Sequence, residues 1–505
     1  MTNGRFYVTT AIPYVNGAPH LGHALELVQA DVLARHHRRR GRPVRSLTGT
    51  DDNALKNVAA AHSAGVPVHE FVAANASRFA ALRDQLALSL DDFISTSRDP
   101  RHRPGVEELW RRIAARGDFY RRRYDGLYCI GCEQFCTAAE LDDDGRCAEH
   151  DRPAEHVSEQ NWFFRLSRYA APLLAAIESG KLRIEPATKR NEVLAFIRAG
   201  LDDISVSRLA ARADGWGIPV PDDPEQVIYV WWDALANYVT ALDFGTDAAA
   251  YDTWWAGSAE RVHIIGKGIV RFHAVHWPAL LLAAGQPLPT TIVVHDYVSV
   301  AGAKISKSSG TDADPAELSQ RYGIDALRWW LVREVPRVGD VDFTVERLVE
   351  RHDRELANAV GNLANRTVTL VHKFRDGVVD LDAELPDRPE VLARAQQLPS
   401  TVDRHLAAFD FRAATEAIRV VAEAGNRLVD AERPWELARA ERAGDAAAGP
   451  RLDAVLSTLI RAGRIIAAEL APFVPDGAAR LAAQLGADKS VGEPGPVFSR
   501  STTVA

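Results

Sequence analysis

The chain has 505 residues, 47% of them hydrophobic and 25% charged, and a formal net charge of −8. This is the composition of a folded globular protein of about two to four domains; it excludes a disordered chain and one coated in basic surface, so nucleic-acid contacts would need local patches such as 35–45 (RHHRRRGRPVR) or 121–124 (RRRY). No apolar stretch approaches the roughly 20 residues that cross a bilayer, and the N-terminus MTNGRFYVTT has no signal-peptide pattern, so we expect a cytoplasmic protein with no membrane partner.

RFYVTTA (5–11) is a β-rich run, after which Leu21, Leu25, Val28 and Val32 recur at steps of three or four, the period of an amphipathic helix. PVRSLTGT (43–50) predicts a second strand, ending at Asp51 and Asp52 before a helix, NALKNVAAAHSAG, with Gly65 as its C-terminal cap. Strand and helix in alternation imply a doubly wound parallel sheet of Rossmann type. From 118 to 225 the pattern changes to a cysteine-bearing insertion, then alternation resumes with QVIYVWWDALANYVTAL and RVHIIGKGIVRFHAVHWPALLLAAG. We therefore expect an α/β domain split into halves (1–117 and 226–298) by an insertion (118–225). A short segment (299–346), an α-helical bundle (347–487) rich in Ala, Leu and Arg, and a loosely held tail (488–505) complete the chain.

Three constellations carry chemistry. His20 and His23 flank Gly22 where a strand hands over to a helix; there a helix N-terminus faces ligands, imidazoles can donate to phosphate oxygens, and glycine admits a close approach. Alone, the pair reads equally well as a helix cap. AKISKSSG (303–310) sets Lys304 and Lys307 among small residues, a loop able to bring two ammonium groups onto a polyphosphate, or by itself a solvated surface loop. All four cysteines lie between 129 and 147; Cys129-x2-Cys132 and Cys147-x2-His150 have the spacing of one tetrahedral zinc site. Cys136 breaks that pairing and reads as a free thiol, or as a substitute ligand.

HLGH (20–23) and KISKS (304–308) resemble the HIGH and KMSKS signatures of class I aminoacyl-tRNA synthetases. Within that class the stretches IPYVNGAPHLGH, LTGTD, YVWWDALANY, FHAVHWPA, VSVAGAKISKS and ALRWWLVRE, in order over nearly the whole chain, resemble the methionyl-tRNA synthetases. The resemblance implies ATP-dependent ligation of L-methionine to tRNA(Met) through methionyl-adenylate, with release of AMP and pyrophosphate, Mg2+ accompanying ATP and one structural Zn2+ held by Cys129, Cys132, Cys147 and His150. It implies catalytic and ATP-binding roles for His20, His23, Lys304 and Lys307, with Gly22 in the ATP site, and a methionine pocket of Ile12, Tyr14, Trp231, Ala234, Tyr238 and His273, with Asp51 on the α-ammonium. Asn358, Asn362 and Arg366, at successive steps of four, and Trp435 correspond to residues that read the CAU anticodon in the bundle. The chain departs from the usual pattern at Asp52-Asn53-Ala54 (commonly Glu-His-Gly), Leu235 (often proline) and His276 (usually another aromatic). Two rivals remain at this stage: another class I enzyme such as the cysteine synthetase, and a non-catalytic RNA-binding paralogue. The chain stops soon after the bundle, so a monomer is expected.

Overall fold

Phe6–Thr10 (β1) is aromatic or β-branched throughout and buried at every position, as a strand covered on both faces must be. It leads to the helix Leu21–Arg39 (α1), then to Val44–Thr50 (β2), the helix Leu55–Ala64 (α2) and Asp92–Ser95 (β3). Gly65 caps α2 at φ 69°, the left-handed conformation expected of it. In the computed structural model, residues 4–129, 141–147, 153–300, 314–385 and 390–500 are described in full, and 134–136, 152 and 303–304 as backbone. The chain divides into two units, Met1–Asp84 with Leu88–His295, and Gln85–Ala87 with Asp296–Ala505.

In the first unit, Phe119–Cys129 (β4) and Glu155–Phe164 (β5) form a long antiparallel ribbon, with Phe119 opposite Phe164 and Tyr128 opposite Glu155. Arg183–Glu185 (β6), the helix Val230–Thr240 (α3), Glu260–Gly266 (β7) and Thr291–His295 (β8) follow. Six strands make one all-parallel sheet in the order β3-β2-β1-β7-β8-β6. The direction of winding reverses between β1 and β7, and in such sheets the crevice beyond the carboxyl ends at that point takes the ligand. β6 lies inside the segment 118–225 assigned to the insertion, yet it is the sheet's edge strand. Gly49 lies flush against β3: a Cβ there would come 2.1 Å from Ile94 O. The core is aromatic, with Trp232, Trp255, Trp277 and Tyr238 all buried.

The second unit is helical apart from a small sheet that includes Val298–Val300 and Val341–Phe343. Its helices include Ile324–Arg333 (α4), Asn362–Arg375 (α5), Phe411–Glu432 (α6), Pro434–Arg442 (α7), Ala448–Leu470 (α8) and Pro475–Leu485 (α9). No helix among the described residues is long and apolar enough to cross a membrane.

The expectation of a loosely held tail is corrected for residues 488–500. Val379 N donates to Lys489 O (2.8 Å), Val491 N to Gly377 O (3.0 Å), and Val497 and Phe498 are each 5% exposed. The Phe498 ring fills a space left by two glycines, since a Cβ on Gly477 would stand 2.1 Å from it and one on Gly361 3.4 Å. Gly and Pro around 492–496 hide this from any periodicity, but two well-placed apolar side chains suffice to anchor the segment. Truncating a buried Phe costs about 3 kcal/mol or more. Phe498→Ala should therefore lower the urea midpoint of the helical unit by a corresponding amount, and an unchanged midpoint would show that the tail contributes nothing.

Candidate active site

α1 opens on the two histidines. His20 is its N-cap, in extended conformation (φ −139°, ψ 174°), and its Nδ1 accepts from Gly22 N at 3.1 Å while His23 Nδ1 accepts from His20 N at 3.1 Å. This is a reciprocal capping box built from imidazoles in place of the usual hydroxyl and carboxylate. The rings stack at 3.7 Å between centroids. With both Nδ1 atoms accepting, each neutral ring carries its proton on Nε2, the nitrogen that can donate onward. A Cβ at Gly22 would lie 3.0 Å from His20 Cε1, so glycine leaves that ring its place.

Beside this cap the ends of β1 and β2 converge: Tyr14 and Asp51 form a parallel bridge, and Asp51 N donates to Pro13 O at 2.9 Å. Asp51 is buried, and its Oδ1 accepts from Asn53 N at 3.2 Å. The Lys56 ammonium stands 3.8 Å above the Tyr14 ring, whose edge meets Trp231. Trp231, Ala234 and Tyr238 lie along α3. Trp231 stacks on Phe272 at 3.7 Å and 7°. Ile12, half-buried, precedes these residues on the strand exit.

His273 sits in a wide π-type turn, Phe272–His276, a feature often found at functional sites. A carbonyl only accepts, so His273 Nδ1–H donates to Ile269 O (3.0 Å), and its Nε2 accepts from the Tyr238 hydroxyl (2.7 Å). The ring is neutral, and burial pushes its pKa down to about 4. Tyr238 is held in turn by the Tyr7 hydroxyl, which donates to its carbonyl at 2.9 Å. Tyr14, Asp51, Trp231, Ala234, Tyr238 and His273 thus meet in one unit around the carboxyl ends of the strands.

Comparison with known proteins bears on what this crevice binds. The model of class I tRNA synthetases (M) matches residues 6–149 and 136–368, and that of the anticodon binding domain of methionyl tRNA ligase matches 385–495. The methionine–tRNA ligase of Mycobacterium bovis is 40% identical over 486 residues, 95% of this chain and 92% of that one. That of Caldanaerobacter subterraneus subsp. tengcongensis is 39% identical over 483 residues, 95% of this chain and 74% of its own. The structure of Mycobacterium tuberculosis methionyl-tRNA synthetase in complex with methionyl-adenylate superposes with a TM-score of 0.91 at 37% identity, covering 98% of this chain and all of that one. This chain belongs to the methionyl-tRNA synthetase family. It is a methionine–tRNA ligase, joining L-methionine to tRNA at the expense of ATP through methionyl-adenylate.

Several expected residues of this synthetase lie outside the described structure: Lys307, Cys132 and His150 entirely, and the side chains of Lys304 and Cys136. The backbone of Ala303–Lys304 pairs with Ser299 and Val300. In the insertion, Cys129 ends β4 and its backbone pairs antiparallel with Gln134, while that of Cys147 pairs antiparallel with Arg152. Cys129 and Cys147 are buried and outside any disulfide. No group of three or more potential metal ligands occurs among the described residues.

In the helical unit, Asn358 lies within a wide π-type stretch, His352–Gly361, that the spacing of four did not foretell, and Asn362 opens α5. Both are exposed; Asn358 Oδ1 accepts from Arg500 (2.7 Å) and Arg366 pairs with Asp430 (2.9 Å). Trp435, at the start of α7, is 40% exposed, uncommon for a tryptophan.

The departures have physical partners. Asp52 Oδ2 accepts from the hydroxyls of Ser95 and Ser97, Ala54 packs on Tyr229 and Val230, Leu235 is buried in the core, and the His276 ring meets Phe272 edge-on at 5.1 Å. Sequence reasoning missed Phe272, one residue from His273 in a quoted motif, and Glu26. That carboxylate, half-buried on α1, accepts from Ala11 N and lies 3.2 Å from His295 Nε2; burial pushes its pKa up against these partners. An acid on the mostly apolar run LELV (25–28) was its only signal.

The depressed pKa of His273 has a pH signature. Unfolded, the imidazole titrates near its ordinary 6.5, so between about pH 6.5 and pH 4 the unfolded chain binds a proton that the folded one does not. Stability is lost as pH falls through that window. His273→Gln should flatten part of the decline in thermal midpoint, and superimposable profiles would remove His273 from the account.

Proposed function

We propose that adenylation runs in the crevice between β1 and β7, and the observation that carries this is the reciprocal cap of His20 and His23 at the start of α1. Asp51 takes the substrate ammonium. Ile12, Tyr14, Trp231, Ala234, Tyr238 and His273 surround the thioether, a polarizable group suited to aromatic edges. A methionine carboxylate oxygen bonds to the α-phosphorus of Mg-ATP as the bond to the β-phosphate oxygen breaks. The charge building on the departing pyrophosphate is met by Nε2–H donors of His20 and His23 and by Lys304 and Lys307, with Gly22 admitting the nucleotide. A ribose hydroxyl of the terminal tRNA adenosine then attacks the activated carbonyl and AMP leaves. Because one methylene in an apolar pocket is worth only about 1 to 3 kcal/mol, selectivity rests on how accurately this pocket is held. Methionine-dependent ATP–pyrophosphate exchange across a panel of amino acids tests the reading; preferential activation of cysteine, or exchange without amino-acid preference, would sink it.

Cys129, Cys132, Cys147 and His150 suit a single structural zinc in the segment 118–225, the reading supported by the Cys-x2-Cys and Cys-x2-His spacing of their thiolate and imidazole donors. Its chemistry would be to order the lobe, with no part in bond making. The purified protein should carry one zinc per chain, and Cys129→Ser or His150→Ala should release it; metal analysis that finds none, or a Cys136 variant that loses it while Cys147→Ser does not, would overturn this ligand set.

The bundle 347–487 reads the anticodon through Asn358, Asn362, Arg366 and Trp435. The exposure of Trp435 supports this, since an indole open to solvent can stack on an unpaired base, a contact worth roughly 1 to 3 kcal/mol. Trp435→Ala and Asn362→Ala should each reduce tRNA charging about tenfold or more while leaving tRNA-independent exchange nearly untouched. Normal charging of a CAU tRNA by either variant would assign that residue to structure alone.

A further inference from the structure

A chain of buried polar groups runs behind the methionine pocket. Asn53, 9% exposed, donates from Nδ2 to Asp233 Oδ2 at 2.6 Å, while its backbone N–H donates to Asp51 Oδ1. The other oxygen of Asp233 is hydrogen-bonded to His102 Nε2, and His102 Nδ1 lies 2.8 Å from Thr240 Oγ1; His102, Asp233 and Thr240 are each no more than 1% exposed. The loop that carries Asn53 is itself held: Asn57 Nδ2 donates to the carbonyls of Asp51 (3.0 Å) and Asp52 (2.9 Å), and Trp216 Nε1 to Asp52 O (2.9 Å).

Asp233 lies on α3 between Trp231 and Ala234, so the amide–carboxylate bond ties the ammonium anchor to the helix that forms the side-chain walls. We propose that Asn53 is a positioning residue that sets the distance between Asp51 and the pocket walls of α3, and so the length of amino acid the enzyme accepts. This rests on the proposed role of Asp51. A hydrogen bond to a buried carboxylate is among the stronger and more directional ones, and Asp233 is clamped from its far side by His102, which is itself held by Thr240 at the end of the same helix. Asn53 therefore pulls against a fixed point. Its side chain touches neither reacting atoms nor nucleotide in the proposed scheme, so its influence should fall on how methionine is held and much less on phosphoryl transfer.

The test is exchange kinetics with a length series: S-methylcysteine, methionine and ethionine, which differ by single methylenes. Asn53→Ala should raise the methionine KM about tenfold with kcat changed less than about threefold, and should narrow the preference for methionine over both analogues. Asn53→Gln keeps the donor, and with it a partner for the buried carboxylate, but lengthens the tie by one methylene; it should shift the ethionine-to-methionine ratio of kcat/KM. Asn53→His, which restores an N–H donor, should recover most of the methionine KM. Thermal midpoints measured alongside separate folding from positioning. Unchanged length preference in both Asn53→Ala and Asn53→Gln would overturn the proposal, as would loss of kcat at constant KM. Asp51→Asn distinguishes the two levels: if it leaves methionine KM unaltered, the ammonium assignment itself fails, whereas if it raises KM and the Asn53 variants do not alter the series, only the ruler fails.

Discussion

The parallel pairing of Phe6–Thr10 with Glu260–Ile264 is the contact on which the first unit depends. Strands that run the same way cannot be joined by a tight turn, so the chain must leave one edge and return after a crossover. Here β1 pairs on one side with β2, a short distance along the chain, and on the other with β7, far along it. The reversal of winding follows from that choice. So does the crevice, because the loops leaving β1 and β7 diverge to opposite sides. His20, His23 and Asp51 reach it from the first half, and Trp231, Tyr238 and His273 from the second.

Within the crevice, protonation states are set by the direction of hydrogen bonds. Backbone N–H groups claim the Nδ1 atoms of His20 and His23, and a backbone carbonyl claims Nδ1–H of His273, so the same ring type faces opposite ways on its Nε2 side. The first two rings can present a donor and the third presents an acceptor, already matched to the Tyr238 hydroxyl. Burial keeps His273 uncharged next to the apolar pocket wall. Buried acids need the opposite treatment, and each has its donors: Asp233 from Asn53 and His102, Asp52 from Ser95 and Ser97.

Much of this was legible in sequence because the elements that frame the site are long or punctuated. β1, α1 and β2 announce themselves by composition and period, and Gly65 by its place at a helix end. HLGH marks a strand-to-helix crossing that no core-packing rule requires. What stayed hidden was short, aperiodic or defined by a partner far away. Three residues, Arg183–Glu185, are too few to show alternation and become an edge strand only by lying against β8. The π-type turns at 272–276 and 352–361 leave no compositional trace. Asn53 was visible only as a departure from a pattern; its meaning needs Asp233, 180 positions on. Phe498 sits among glycine and proline, and its role depends on two glycines elsewhere having no side chain.

The distance along the chain between β1 and β7 also orders events during synthesis. A ribosome adding about 5 to 20 residues per second needs on the order of tens of seconds to move from one strand to the other. For that interval β1 and β2 exist with one flank of the sheet uncovered, and a strand edge without its neighbour is a template for pairing with other chains. The β4–β5 ribbon and the helices up to α3 emerge in that time, so the insertion is complete before the sheet that it interrupts. The helical unit, continuous in sequence from Asp296 onward apart from three residues at Gln85–Ala87, faces no such delay. In a growing polypeptide, the vulnerable stage of this enzyme is therefore the waiting first half of its nucleotide fold.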